Sequence, residues 1–237
     1  MIYGRHPALE WLEGGLPVRT IYLLRDAERR FSEKIVQHAR RCGAPLNRVD
    51  RARLTHLAGS DKHQGVVLEV ELPGASSFGQ LFRTGEAPLL GILDQIQDPQ
   101  NLGAVLRSAD GAGVHGIITT RHRSARLTPA AFKASAGAAA HVPLVPVTNL
   151  ARTLDELRER GIWIAGADPK GDRSYTALDY RTATAFVLGS EGRGLRRLVR
   201  EKCDFLVTIP MSGAVSSLNV SITAALLFYE ARRQRDT

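Results

Sequence analysis

Apolar residues follow two rhythms along this chain. Short continuous runs such as Leu89-Leu90-Gly91-Ile92-Leu93 and Phe186-Val187-Leu188 read as strands buried on both faces, whereas Leu102, Val105, Leu106 and Ala109 recur at helical spacing. From residue 89 onward the two alternate: strand 89–96, helix 102–112, strand 115–119, helix 128–138, a short strand near Leu144-Val145, helix 150–160, strands 162–166 and 185–189, helix 194–202, strand 205–209 and helix 218–233. Such alternation predicts an α/β domain whose mostly parallel sheet is covered on both faces. Residues 1–72 carry a smaller α/β pattern. It has a strand at 21–24, a helix whose stripe Phe31, Ile35, Val36 and Ala39 ends at Cys42-Gly43, a helix over 51–57 capped by Asp50, and a last strand over 65–70. Pro73-Gly74-Ala75-Ser76-Ser77 breaks that pattern, and composition stays polar and turn-forming to Pro88. The expected organisation is a domain over 1–72, a linker over 73–88 and a larger domain over 89–237.

Three of the predicted strands run into loops of one design. Strand 89–96 leads to Asp98-Pro99-Gln100-Asn101-Leu102-Gly103, strand 185–189 to Gly189-Ser190-Glu191-Gly192-Arg193-Gly194, and strand 205–209 to Pro210-Met211-Ser212-Gly213-Ala214-Val215-Ser216-Ser217-Leu218-Asn219. In a parallel sheet such loops gather at the carboxyl ends of the strands, where ligands bind. Asn101 stands at an expected helix N-cap, and Arg107 falls off the apolar stripe behind it. Arg107 therefore has two readings: a guanidinium aimed at the loops, or a surface arginine paired with Asp98 or Asp110. The second loop fits neither the dinucleotide fingerprint nor the P-loop, and Glu191 within it would repel a polyphosphate while tolerating a cationic ligand. Ser216 or Ser217 is expected to cap the last helix, which would turn Leu218, Ile222, Ala225, Leu226 and Tyr229 inward. Asn219 is either a local cap or a buried amide that needs partners.

Charge alters the picture by pointing to a partner. The net charge is +8 with a pI near 10.0, and residues 1–72 and 73–237 are each basic, so a polyanion such as RNA or DNA could run across both parts. Arg121, Arg123 and Arg126 cluster, as do Arg193, Arg196, Arg197 and Arg200, the latter set open to reading as a phosphate-binding or a merely solvated helix face. Other classes find little support. There is no long apolar run and no signal-peptide pattern, so a soluble, cytoplasmic protein with no membrane association is expected. Cys42 and Cys203 stand alone, the histidines show no HExxH or i, i+4 pair, and no GxSxG elbow occurs, which argues against a disulfide framework, a metal site and a serine triad.

Taken together, Asn101-Leu102-Gly103-Ala104-x-x-Arg107-Ser108-Ala109, Leu188-Gly189-Ser190-Glu191-Gly192-x-Gly194 and Ile209-Pro210-Met211-x-Gly213-x-x-Ser216-Ser217-Leu218-Asn219-Val220-Ser221 resemble the three ordered motifs of the SpoU/TrmH class of RNA 2'-O-ribose methyltransferases, in the SPOUT superfamily. Ile2-Tyr3-Gly4-x-His6 and His63-Gln64-Gly65 resemble the class's N-terminal, L30e-like RNA-binding domain. Within the class, the closest likeness is to the bacterial 23S rRNA guanosine-2'-O-methyltransferase group, the RlmB type, which acts on the P loop of the peptidyl-transferase region. The resemblance implies S-adenosylmethionine as methyl donor, a C-terminal trefoil knot, a homodimer and 23S rRNA as partner. It assigns Gly189, Ser190, Glu191, Gly192, Ile209, Met211 and Leu218 to the cofactor, and Asn101, Arg107, Glu191, Ser217 and Asn219 to catalysis. Arg107 would bind the target phosphate and stabilise the developing alkoxide, or itself take the hydroxyl proton; Glu191, Asn101 and Asn219 would orient it and the loops, and Ser217 would hydrogen-bond locally. The span 167–184 shows little resemblance and is assigned no role. Two other readings stay open: a tRNA ribose methyltransferase, and a non-catalytic RNA-binding or ribosome-assembly protein.

Overall fold

In a computed structural model of the chain, residues 1–82 and 85–237 are described; Arg83 and Thr84, inside the expected linker, lie outside the described residues. The chain divides into two compact units, Met1–Leu72 and Pro73–Thr237.

The first unit holds β1 (Ile2–Tyr3), α1 (Arg5–Glu13), β2 (Thr20–Leu24), α2 (Arg29–Cys42), β3 (Leu46–Val49), α3 (Arg51–Ala58) and β4 (Val66–Glu69). Its mixed sheet has the order β1-β4-β2-β3, antiparallel except for the β2/β3 pair. Phe31, Ile35 and Ala39 of α2 are buried, and α2 ends at Gly43 in the left-handed region. Asp50 caps α3 by accepting from Arg53 N at 2.8 Å. The two fragments singled out by resemblance meet here: the Arg5 backbone N–H donates to Gln64 Oε1 at 2.9 Å, and β1 pairs with β4. β1, α1 and β3 have no counterpart in the expected pattern, because two to four residues of strand and a short helix of mixed polarity leave too little periodicity to read.

The second unit contains β5 (Leu89–Asp94), α4 (Pro99–Gly111), β6 (Gly116–Thr120), α5 (Pro129–Ala134), β7 (Leu144–Val147), α6 (Leu150–Glu159), β8 (Trp163–Ala167), β9 (Arg173–Ser174), β10 (Thr184–Gly189), α7 (Arg197–Glu201), β11 (Phe205–Thr208) and α8 (Val220–Arg235). Its seven strands are all parallel, in the order β7-β6-β5-β10-β8-β11-β9. β5 and β10 sit centrally and are apolar almost throughout, as strands covered on both faces must be. One face packs against α6 and α7 through Leu154, Leu157 and Val199; the other buries Phe186 against Phe228 of α8, with Tyr180 edge-on to Phe186. Part of the expected linker is structured. Phe78–Leu81 forms a 3₁₀ turn with a Ser77/Gln80 capping box, and Leu81 is fully buried in the core of the second unit.

Three local expectations are corrected. The N-cap of α4 is Asp98, which accepts from Gln100 N at 2.9 Å with Pro99 in the first turn, so Asn101 lies inside the helix. The cap of α8 is Asn219, not Ser216 or Ser217, and the helix buries Val220, Ala224, Leu227, Phe228 and Ala231 while Ile222 and Tyr229 are half exposed. Arg193 and Arg196 precede α7, which starts only at Arg197, so the four arginines share no helix face.

Candidate functional site

Because every strand of the second sheet runs the same way, all its carboxyl ends lie along one edge. The register pairs Leu188 with Leu93 and Gly189 with Asp94, so β10 and β5 end level with each other. Their exits bring Glu191 and Asn101 together across 90 residues of sequence, and the start of α8 adds Asn219. The Asn219 side-chain amide donates to Asn101 Oδ1 at 3.0 Å and to Glu191 Oε1 at 2.8 Å, and the Asn101 amide donates to the same Glu191 oxygen at 2.8 Å. Each pair in this triangle is directly hydrogen-bonded. Asn219 also accepts from Ser221 N through Oδ1 at 2.8 Å. It is thus both the cap and the amide with distant partners: the carbonyl end serves the helix and the NH₂ end serves the site.

Beside the triangle opens a cavity of about 860 Å³, walled by the exits of β10, β11 and β8 and by the first turns of α8. Gly189, Ser190, Glu191, Gly192, Ile209, Met211 and Leu218 all line it, as do Ser217 and Asn219. The loop after β10 is folded tightly on itself. The Gly194 N–H donates to Ser190 O at 2.8 Å, Gly192 and Gly194 have φ of +78° and +65°, and a Cβ built on Gly189 would stand 2.1 Å from the Gly194 carbonyl carbon. Only glycine fits at 189 without moving that backbone.

Among the residues walling the cavity only Asp168 and Glu191 are charged, and both are acidic. Burial pushes the Asp168 carboxyl upward, but the bond from Arg200 Nε at 2.7 Å, the Lys170 N–H and both cations outweigh it and hold it below the usual carboxylate range. With Asp168 neutralised by Arg200, Glu191 is the lining charge without a cationic partner among the described residues, which disfavours a polyphosphate and favours a ligand that carries positive charge.

Two predicted residues stand somewhat apart. Arg107 is exposed on α4, does not line the cavity, and among the described residues forms neither the Asp98 nor the Asp110 pair and no bond to Asn101, Glu191 or Asn219. Gly103, one turn before it, is where α4 touches α5: a Cβ there would lie 2.4 Å from Ala131 O. Ser217 lines the cavity without a side-chain hydrogen bond among the described residues.

The structure also supplies residues the sequence reading missed. Ala167, Asp168 and Pro169, in the span given no role, form one wall. Asp94 is buried at the end of β5 and holds the outgoing loop through Arg196 N at 3.0 Å and Arg196 Nε at 2.7 Å. A carboxylate ending an otherwise apolar strand was the available signal for Asp94. Arg197 and Arg200 are likewise paired, with Glu201 and Asp168, so within the expected arginine face only Arg193 has no acidic partner among the described residues. No group of His, Cys, Asp and Glu side chains among the described residues could hold a metal, and no described helix is long and apolar enough to cross a membrane.

Comparison with known proteins bears on both units. Residues 88–229 match the SpoU rRNA Methylase family, and residues 1–74 match the RNA 2'-O ribose methyltransferase substrate binding domain. YacO of Bacillus subtilis, named as a TrmH family tRNA/rRNA methyltransferase, is 38% identical over 99% of this chain and 96% of its own length. The 23S rRNA (guanosine-2'-O-)-methyltransferase RlmB of Ralstonia nicotianae is 43% identical over 91% of this chain and 87% of its own. Among solved structures, the SpoU methyltransferase AviRb of Streptomyces viridochromogenes, in complex with AdoMet, superposes with a TM-score of 0.74 at 29% identity, covering 100% of this chain and 90% of that one.

Proposed function

Since the chain belongs to the SpoU rRNA Methylase family, we propose that it transfers the methyl group of S-adenosylmethionine to the ribose 2'-hydroxyl of a guanosine in 23S rRNA, in the P loop of the peptidyl-transferase region. The observation that carries this reading is the cavity whose two charged lining residues are both acidic, next to the Asn101–Glu191–Asn219 triangle. S-adenosylmethionine supplies an electrophilic methyl on a cationic sulfonium. The backbone and side chains of Gly189, Ser190, Gly192, Ile209, Met211 and Leu218 would hold it, and Glu191 would set a negative charge beside it. The guanosine assignment is supported by the similarity to the Ralstonia enzyme, while the similarity to YacO keeps tRNA as the alternative.

Methyl transfer to a hydroxyl is an in-line displacement, so holding donor and acceptor together accounts for much of the rate. In this proposal Asn101, Glu191 and Asn219 brace the loops after β5 and β10 against the start of α8, and Ser217 contributes a hydroxyl at the cavity wall. Arginine side chains are poor general bases near neutral pH, so proton abstraction is not assigned to Arg107. Arg107 serves by binding the phosphate next to the target ribose and stabilising the developing alkoxide, while the hydroxyl proton passes to water and S-adenosylhomocysteine departs as the neutral thioether. The division into an RNA-binding domain over 1–72, a linker over 73–88 and a catalytic domain over 89–237 belongs to the same proposal, as do the trefoil knot and the homodimer. Half-exposed Ile222 and Tyr229 on α8 offer an apolar face for the second copy.

The test is incubation with methyl-labelled S-adenosylmethionine and, separately, unmodified large-subunit rRNA and bulk tRNA, followed by digestion and identification of the labelled nucleotide. Label as 2'-O-methylguanosine in rRNA alone is expected. Label only in tRNA would move the assignment to the alternative, and cofactor binding without label in either RNA would leave a non-catalytic RNA-binding protein.

A further inference from the structure

We propose that the loop Arg121–Arg126, with Arg152 beyond it, is the seat for the RNA backbone flanking the target nucleotide, so that the substrate strand crosses the sheet edge from the Asn101–Glu191–Asn219 triangle over β6 toward β7. The inference rests on RNA being the substrate. Its first support is topology. β6 and β7 lie beside β5 on the side away from the cavity, and because all strands are parallel their exits share an edge with the triangle. Two strand spacings cover about 10 Å, within reach of an adjacent phosphate or two.

The second support is that this loop is tied down. Arg121 N donates to Val147 O at 2.8 Å, Ala125 N donates to Ile96 O at 2.7 Å, and Thr120 Oγ1 bonds His122 O at 3.0 Å and the Ser124 hydroxyl. Ile96 lies in the connection that leads to Asn101, so the arginine loop is bonded to the segment carrying a triangle residue. Arg123 sits at φ +58°, a left-handed conformation unusual for an arginine.

Charge is the third support. Arg121, Arg123, Arg126 and Arg152 are exposed, and among the described residues none forms an ion pair, whereas Arg158, Arg181, Arg196, Arg197, Arg200, Arg232 and Arg233 of the same unit all face carboxylates. Residues 111–154, which include this loop, contain no Asp or Glu at all. A rigid, exposed, uncompensated set of guanidiniums matches phosphate oxygens, which such groups bind through paired N–H donors. Interactions of this kind position the strand and do not read its sequence.

The experiment compares wild type with the triple variant Arg121→Gln, Arg123→Gln, Arg126→Gln and with Arg181→Gln, which removes one charge just before β10, at the opposite edge. RNA affinity is measured against salt, alongside KM for RNA and S-adenosylmethionine affinity. The triple variant is expected to raise the RNA Kd at least about tenfold and to flatten the log–log salt slope by about 2, near 0.7 for each single-strand phosphate that an arginine no longer neutralises, with cofactor affinity unchanged. The single variant Arg123→Asn, which tolerates a left-handed backbone, serves as the fold-safe version and should lower the slope by about 0.7. An unchanged slope and KM in both, or an equal weakening in Arg181→Gln, would overturn the proposal. If wild type binds RNA but methylates none, the functional reading fails while the salt slopes still decide this one.

Discussion

Replacing Asn219 by Asp separates the two duties of that residue. The carboxylate still accepts from Ser221 N, so the cap of α8 survives, and negative charge at a helix N-terminus is favourable. What disappears is the NH₂ group that donates to Asn101 at 3.0 Å and Glu191 at 2.8 Å. In its place an oxygen would face Glu191 Oε1 at about 3 Å, a repulsion of about 1.4 kcal/mol at the dielectric of water and about 5.5 kcal/mol at an effective value of 20. The residue is exposed, so the real figure lies toward the lower bound, and the loops will part before they accept the close approach. Methyl transfer should fall at least about tenfold, corresponding to about 1.4 kcal/mol, while the melting temperature drops by only a few degrees because the cap remains. Two adjacent carboxylates raise the pKa of one of them, so lowering the pH toward about 5 should restore part of the missing activity in Asn219→Asp. Asn219→Ser, which keeps a capping oxygen but adds no charge, should show the defect without the acid rescue. The assay is methyl incorporation into RNA across a pH series, with cofactor affinity and thermal melting measured in parallel. Wild-type turnover with a wild-type pH profile in Asn219→Asp would refute the claim that the triangle braces the site.

Gly189→Ala should lower S-adenosylmethionine affinity at least about tenfold, because a Cβ 2.1 Å from the Gly194 carbonyl carbon forces the cavity loop to move; calorimetry on the purified variant checks it. Arg196→Ala leaves the buried Asp94 carboxylate with only its backbone donor. Removing one partner of a fully buried pair costs about 3–5 kcal/mol, but the Arg196 side chain is 47% exposed, so about 1–3 kcal/mol is expected by urea denaturation. In the first unit, burial and then the charge of Arg51 push the His63 pKa down, and its Nδ1 accepts from Gly65 N at 3.1 Å, so it is held neutral. The unfolded chain then binds the proton more readily. The stability of this unit should be full above the unfolded value near pH 6.5 and decline as pH falls toward the lower folded value, and His63→Gln should flatten that decline in melts of the full chain between about pH 7 and 5.

Much of the site was legible in sequence because each element there is determined locally. An apolar run flanked by Gly, Ser and Asn reads as a buried strand entering a loop whatever surrounds it, so β5, β10 and β11 and the loops that follow them could be placed from residue order alone. Helix starts were less secure. Asp98 and Asn101, or Ser217 and Asn219, are equally good caps by residue type, and only the backbone hydrogen bonds choose between them. The inward face of α8 went wrong for a related reason: Ile222 and Tyr229 are as apolar as Leu227 and Phe228, so periodicity alone does not say which stripe meets the sheet.

What the chain by itself determined is the repertoire: parallel strands, three small-residue loops, an acid within one of them, and an excess of positive charge. Which groups meet was decided by the tertiary structure. Asn101 and Asn219 lie 90 and 28 residues from Glu191 in sequence, and the three touch because β10 inserts beside β5 in register and brings two exits to the same level. The same packing sorted the arginines. After β10, Arg196 and Arg200 found Asp94 and Asp168, while those after β6 lie in a stretch without a carboxylate and kept their charge for solvent or a ligand. Ion pairing between distant segments depends on which strand neighbours which, and strand order is a long-range property that local composition does not encode.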